Sequence, residues 1–146
     1  MQSTYSFLDS VMVFAHPLLS TGAIVITGEG VGTINVSMNE ARTAMDVAAD
    51  GAVMVSKMAG NTGTLTISVQ QTSLAHKKLL ALFNLLIGAD TFSWAQAMII
   101  IRNVTDGTGH IATGVAFTKI GDKSYAKQGG QISWNIMAAD IQSLTV

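Results

Sequence analysis

Three histidines, His16, His76 and His110, and nine carboxylates are the side chains best suited to acid–base or metal chemistry. Their spacing assembles neither. No histidine stands at a metal-ligand spacing from another histidine or from a carboxylate. The expected place for these histidines is a solvent-facing or interface position. The carboxylates are Asp9, Glu29, Glu40, Asp46, Asp50, Asp90, Asp106, Asp122 and Asp140. They fall mainly at expected turns and strand ends, and nothing pairs two of them for general acid–base work. Cysteine is absent, which excludes a thiolate zinc site, a cysteine nucleophile and a disulfide framework. Gly28-Glu29-Gly30-Val31-Gly32-Thr33 falls short of a dinucleotide fingerprint. It lacks the third glycine, and a strand follows where a helix is needed. It reads as a hairpin turn. No P-loop, nucleophile elbow or HExxH motif occurs. The expectation is a protein that is not an enzyme and carries no cofactor or metal.

Composition points elsewhere. Only 12 % of the 146 residues are charged, while 49 % are hydrophobic, and the mean hydropathy is +0.42. A soluble domain carries roughly a quarter charged residues. The excess apolar material has to be hidden in a membrane or against other chains. A spanning helix needs about 20 apolar residues, and the best run, Leu79–Ile87, is far shorter and interrupted by Asn84. Met1–Asp9 has neither a basic start nor an apolar stretch of leader type. Residence in the cytoplasm where the chain is made, and self-assembly, are therefore expected. A formal net charge of −1 leaves no basic footprint for gripping nucleic acid. The length suits one domain, residues 1–146.

Strands dominate the pattern. Thr33–Met38, Thr64–Gln70 and Gln131–Ile136 alternate strictly between apolar and polar residues, the signature of half-buried strands. Trp94–Ile101 and Ile24–Ile26 are apolar on both faces and are expected to be covered on both. Ser10–His16, Thr43–Asp50, Ala52–Lys57 and Ile111–Lys119 are further strand candidates. One helix is expected at about 73–88, with Ser73 as N-cap and Gly88 just past its end. Its C-terminal half is apolar nearly all round, which implies burial all round. A single sheet covers one side, so a loop, a second sheet or a neighbouring subunit has to cover the other.

Two surface signals remain. The polar faces of the three alternating strands carry Ser, Thr, Asn and Gln, without Lys or Arg. DNA affinity comes mainly from cations that displace counterions, so such a wall does not hold a passing duplex; an ordinary wetted sheet face has the same composition. Methionines cluster over Met45–Met58, where alternation is poor, and suit either gap-filling or adaptable packing at subunit contacts.

Several short motifs, in order, carry a family resemblance. They are Thr4-Tyr5-Ser6-Phe7-Leu8-Asp9, Ala49-Asp50-Gly51 and Gly60-Asn61-Thr62-Gly63-Thr64-Leu65-Thr66-Ile67-Ser68-Val69. Gln71-Thr72-Ser73, Gly114-Val115-Ala116-Phe117-Thr118-Lys119 and Tyr125-Ala126-Lys127-Gln128-Gly129-Gly130-Gln131 with Trp134 follow. The chain resembles, over nearly its whole length, the tail-tube proteins of contractile-tailed bacteriophages. The resemblance implies a mainly β subunit, an antiparallel sandwich or barrel with one flanking helix. It implies hexameric rings that stack into a hollow conduit for DNA, about four strands per subunit lining the channel. Sheath, baseplate and tail-terminator proteins are the implied partners, the virion tail the implied location, and DNA passage transient and non-specific, with no membrane insertion. The inner tube of a bacterial contractile injection or secretion system is the alternative, and a small ligand-binding β-barrel a more distant one. On this reading Met45, Asp46, Asp50, Met54, Lys57, Met58, Leu82, Phe83 and Leu86 are expected at contacts between subunits or rings. Thr64, Thr66, Ser68, Gln70, Ser133 and Asn135 are candidates for the channel wall.

Overall fold

The computed structural model describes residues 2–19, 23–28 and 30–145. Glu29, in the glycine-rich stretch of the sequence, lies outside the described residues. The strands are β1 (Ser10–Ala15), β2 (Ile24–Ile26), β3 (Val31–Met38), β4 (Thr43–Val47) and β5 (Val53–Lys57). Then come β6 (Gly63–Gln70), helix α1 (Leu74–Ile87), β7 (Ala97–Asn103), β8 (Thr108–Ile120) and β9 (Gln131–Thr145). Seven strands form one antiparallel sheet in the order β2-β1-β7-β8-β9-β6-β3, and β4-β5 form a separate two-stranded sheet.

Alternation explains why one face of the sheet is dry. Leu65, Ile67 and Val69 of β6, and Ile132, Trp134 and Ile136 of β9, are buried, while the residues between them point the other way. Phe117 of β8 is the centre of the core. It stacks on Phe14 at 5.5 Å between ring centroids, meets Phe83 edge-on at 5.6 Å and lies 5.4 Å from Trp134. The sheet curls, because α1 touches both β2 at one edge and β6 next to the other. Curling is helped at Gly114, whose φ is +62°. Around it the buried positions of β8 shift from Val115 to Ala112, and those of β9 from Ala138 to Ile141. Both strands thus change face at one point, and glycine tolerates that conformation without a Cβ penalty.

The helix begins where expected. The Ser73 hydroxyl accepts the His76 backbone N–H at 3.2 Å, satisfying one of the unpaired first-turn donors. Gly88 ends it with right-handed angles rather than the left-handed cap expected of it. Leu79, Leu82 and Leu86 point into the core. Each such burial stabilises by about 1.5–3 kcal/mol.

Several expectations change. Gly28–Thr33 is not a hairpin turn, since β2 and β3 occupy opposite edges of the sheet; the segment crosses between them. Gly30 there takes φ +73° and approaches Ser73 so closely that a Cβ would lie 2.7 Å from the serine Cβ. The strand expected from Trp94 starts at Ala97, after a turn of 3-10 helix at Thr91–Ser93. It is not covered on both faces, since Met98 is exposed, and neither is Ile24–Ile26, where Val25 is exposed. The helix is not buried all round: Leu74, Leu85 and Ile87 are exposed.

Candidate functional site

The chemistry-bearing side chains are used inside the fold. The His16 Nδ1 accepts the Leu18 backbone N–H at 3.0 Å, so its Nε2–H donates to the Ser93 carbonyl at 2.8 Å. The Trp134 indole N–H donates to Nδ1 of His76 at 3.1 Å. The Ser143 hydroxyl lies 3.1 Å from Nδ1 of His110. His16 and His76 are buried rather than solvent-facing. Burial lowers the His76 pKa below its usual value, and the Lys123 charge lowers it further. The Asp90 carboxyl is held below the usual carboxylate range by the Ser93 hydroxyl and backbone N–H that it accepts. Among the described residues no group of three or more His, Asp or Glu side chains is arranged to hold a metal ion. No helix among them is long and apolar enough to cross a membrane.

What the fold assembles is a surface. The outer side of β3, β6 and β9 carries a polar ladder, because antiparallel register places like residues side by side; exposed Met137, opposite Thr64, ends it on β9. Thr33 pairs with Ser68 and Ser68 with Ser133; Asn35 pairs with Thr66 and Thr66 with Asn135; Ser37 pairs with Thr64. Gln70 faces Gln131 at the end of the ladder. The side chains are tied to one another. Thr66 donates to Asn135 at 3.4 Å, the Ser68 and Ser133 hydroxyls are 3.3 Å apart, and Thr64 donates to Asn39 at 3.1 Å. All six channel-wall candidates therefore lie on one face. Sequence reading missed one member: Lys119 of β8 stands beside Asn135 and puts a cation at the margin. A register shift after Phe117 brings it there, and nothing in the local pattern marks that shift.

The second surface is the β4–β5 hairpin. Met45 pairs with Val55 and Val47 with Val53, so these four share a face. They are 69, 60, 64 and 56 % exposed respectively. The opposite face carries Ala44, Asp46, Met54 and Ser56. At the tip Gly51 takes φ +87° and the Asp50 carboxylate accepts the Ala52 N–H at 3.0 Å. Met45, Asp46, Asp50, Met54, Lys57 and Met58 are all exposed on or beside this hairpin. Leu82 and Leu86, expected at a subunit contact, are 1 and 2 % exposed and pack on the sheet of their own chain. Half-buried Phe83 faces the same core. The apolar helix face left open is that of Leu74 and Leu85, about three turns apart and so on one side of α1, beside the buried stripe.

Comparison with known proteins follows the same line. Residues 2–145 match the protein family described as "Bacteriophage PhiTE tail tube protein". No curated protein sequence matches the chain. Several solved structures share the fold. A chain in the cryo-EM structure of the anti-feeding prophage baseplate, 6-fold symmetrised, is 10 % identical with a TM-score of 0.68; the match covers 100 % of this chain and 99 % of that one. A chain in the extended sheath-tube complex of the extracellular contractile injection system PVC is 10 % identical with a TM-score of 0.62, covering 98 % and 93 %. One in the anti-feeding prophage tube-terminating cap is 11 % identical with a TM-score of 0.61, covering 100 % and 94 %.

Proposed function

Since this chain belongs to the bacteriophage PhiTE tail tube protein family, we propose that six copies close a ring, that rings stack into a hollow tube, and that the polar ladder of β3, β6 and β9 lines its channel. The tail tube is a structural component of the particle. On this reading the whole chain acts as one tube domain in the virion tail, assembled in the host cytoplasm, and its work is geometric, without bond chemistry.

The uncharged ladder carries the reading. A channel for DNA must be wetted, so that no apolar wall collapses on itself, yet free of cations that would exchange for counterions and hold the duplex. Thr33, Asn35, Thr66, Ser68, Ser133 and Asn135 meet both demands, and their mutual hydrogen bonds hold the wall in place. The adjacent β8 makes four contiguous strands for the wall and brings one cation, Lys119, to its margin beside Asn135. Six such subunits supply roughly 24 strands at ~4.8 Å, or about 115 Å of circumference, rising to about 150 Å at a tilt of ~40°. The backbone diameter is then about 37–48 Å, and about 27–38 Å remains after side chains. A duplex roughly 20 Å wide, as groove depths of about 8 Å imply, passes through it.

The hairpin supports the assembly half of the proposal. A lone two-stranded hairpin is marginal in water, and this one exposes an apolar face, so a neighbouring copy is its natural cover. Closing a ring also removes the free edges of β2 and β3, which are otherwise templates for aggregation. Sheath, baseplate and terminator proteins are the further partners on this reading, in keeping with the complexes in which the shared fold occurs. The same likeness favours a second reading, the inner tube of a contractile injection system with protein as cargo. Negative-stain electron microscopy of the purified protein tests both: rings or hollow rods are expected. A monomer at every concentration in sedimentation would overturn the proposal. DNA inside particles isolated from the host separates the first reading from the second.

A further inference from the structure

The outer side of the seven-stranded sheet has two halves, and only one is polar. Across β2, β1 and β7 the register places Val25 beside Val13, Val13 beside Ile100 and Ala15 beside Met98. Ile100 continues to Ile111 on β8. Val25 and Met98 are exposed, and Val13, Ile100 and Ile111 are half-buried. None of these residues belongs to the core cluster, which lies on the other face. We propose that it receives the apolar face of the β4–β5 hairpin from a neighbouring copy. This inference rests on the tail-tube reading and names one contact within it.

The chain carries two uncovered apolar sheet faces, this one and Met45, Val47, Val53 and Val55 of the hairpin. Two sheet faces pack on one another at about 10 Å with strands within about 30°. In the ring of the tail-tube reading the contact runs head to tail: each copy offers its hairpin to one neighbour and its sheet to another. Such contacts propagate into rings or filaments.

Charge sets the direction. Arg102 closes one end of the patch, beside Val11. On the hairpin, Lys57 stands at the base and Asp50 at the tip. Like charges are kept apart only if the tip points toward Arg102. Val55 then lies over Val25 and Val13. Three strands at ~4.8 Å and five residues at ~3.3 Å give a patch of about 230 Å². A stable pair buries about 800 Å² per partner. The contact therefore does not hold a dimer by itself and acts only as one of several made together in an assembly.

Absence of native cysteine allows a clean test. Chains carrying Val55→Cys and Val25→Cys are assembled and oxidised, with Val55→Cys and Thr66→Cys as the control pair. A ladder of cross-linked oligomers from the first pair and none from the control is expected. Assembled rings or rods without the 55–25 cross-link overturn this inference and leave the tube reading standing. Absence of any assembly by the unsubstituted chain overturns both. If the doubly substituted chain does not assemble alone, it is mixed in equal amount with unsubstituted chain, so that adjacent substituted copies are common, and the 55–25 cross-linked pair is read against the control pair.

Discussion

The Trp134 indole N–H donates to Nδ1 of His76 across 3.1 Å, in the interior between the sheet and α1. An Nδ1 that accepts carries no proton, so the ring is neutral. Protonation removes the acceptor and leaves two donors facing each other. The bond also joins the helix, capped by Ser73 only three residues before His76, to β9 near its start at Gln131.

Stability is expected to fall in mild acid. The His76 pKa lies below its ordinary 6.5 in the folded chain, through burial first and Lys123 second. In the unfolded chain it returns to about 6.5. Between the two values the unfolded state binds more protons, so stability is full above about pH 6.5 and declines as pH falls toward the folded pKa. Denaturant midpoints at pH 7.5 and pH 5.5 measure it. His76→Gln, which keeps a polar side chain but does not titrate, is expected to flatten that difference; an unchanged slope refutes the assignment.

The two faces of α1 separate folding from assembly. Leu82 is packed in the core, so Leu82→Ala is expected to cost about 2–5 kcal/mol of stability. Leu82→Asp should leave no folded protein. Leu85 is 46 % exposed, and Leu85→Ser should shift stability by no more than about 0.5 kcal/mol. Chemical denaturation of the isolated variants gives both numbers.

Hairpin charge should act on tube growth alone. Asp50 is exposed at the tip, so Asp50→Arg costs no core packing. Folded, helix-containing protein with no rods in the microscope is the expected outcome, checked by circular dichroism beside imaging. Rods of normal length and number refute a role for the tip in assembly.

Adding a cation to the polar ladder should make the channel sticky. Ser68 sits centrally, between Thr33 and Ser133. Ser68→Lys is expected to give tubes that retain duplex DNA at low salt and release it as salt rises, as counterion release requires. Retention is measured by co-sedimentation across a salt series, with unsubstituted tubes as reference. Equal retention by both removes the ladder from the channel wall.

Gly114 is the position where side-chain addition should be least tolerated by the sheet. Its φ is +62°, and a Cβ would lie 2.8 Å from the Ala139 Cβ. Gly114→Ala is expected to destabilise the chain by about 1–3 kcal/mol, combining strain with a clash. A thermal melt of the variant reads this directly.

Local patterns were legible in the residues themselves. Thr33–Met38, Thr64–Gln70 and the start of β9 alternate, and alternation is a property of one strand. The helix start at Ser73 follows from capping chemistry within a few residues, and Gly88 marks the end without forming the left-handed cap expected there. The shortage of charge pointed to assembly, and the short motifs to the tail-tube family. Partnership between distant segments was not legible. Strand order, the crossing of Gly28–Thr33 between two sheet edges, the length of β9 and the approach of Lys119 to Asn135 all depend on register between residues far apart in the chain. The inward turn of Leu82 and Leu86 and the outward turn of Leu85 were settled only when the sheet curled around one side of the helix. Composition decides that apolar surface must be covered; the three-dimensional pairing decides which of it the chain covers by itself and which it leaves for another copy.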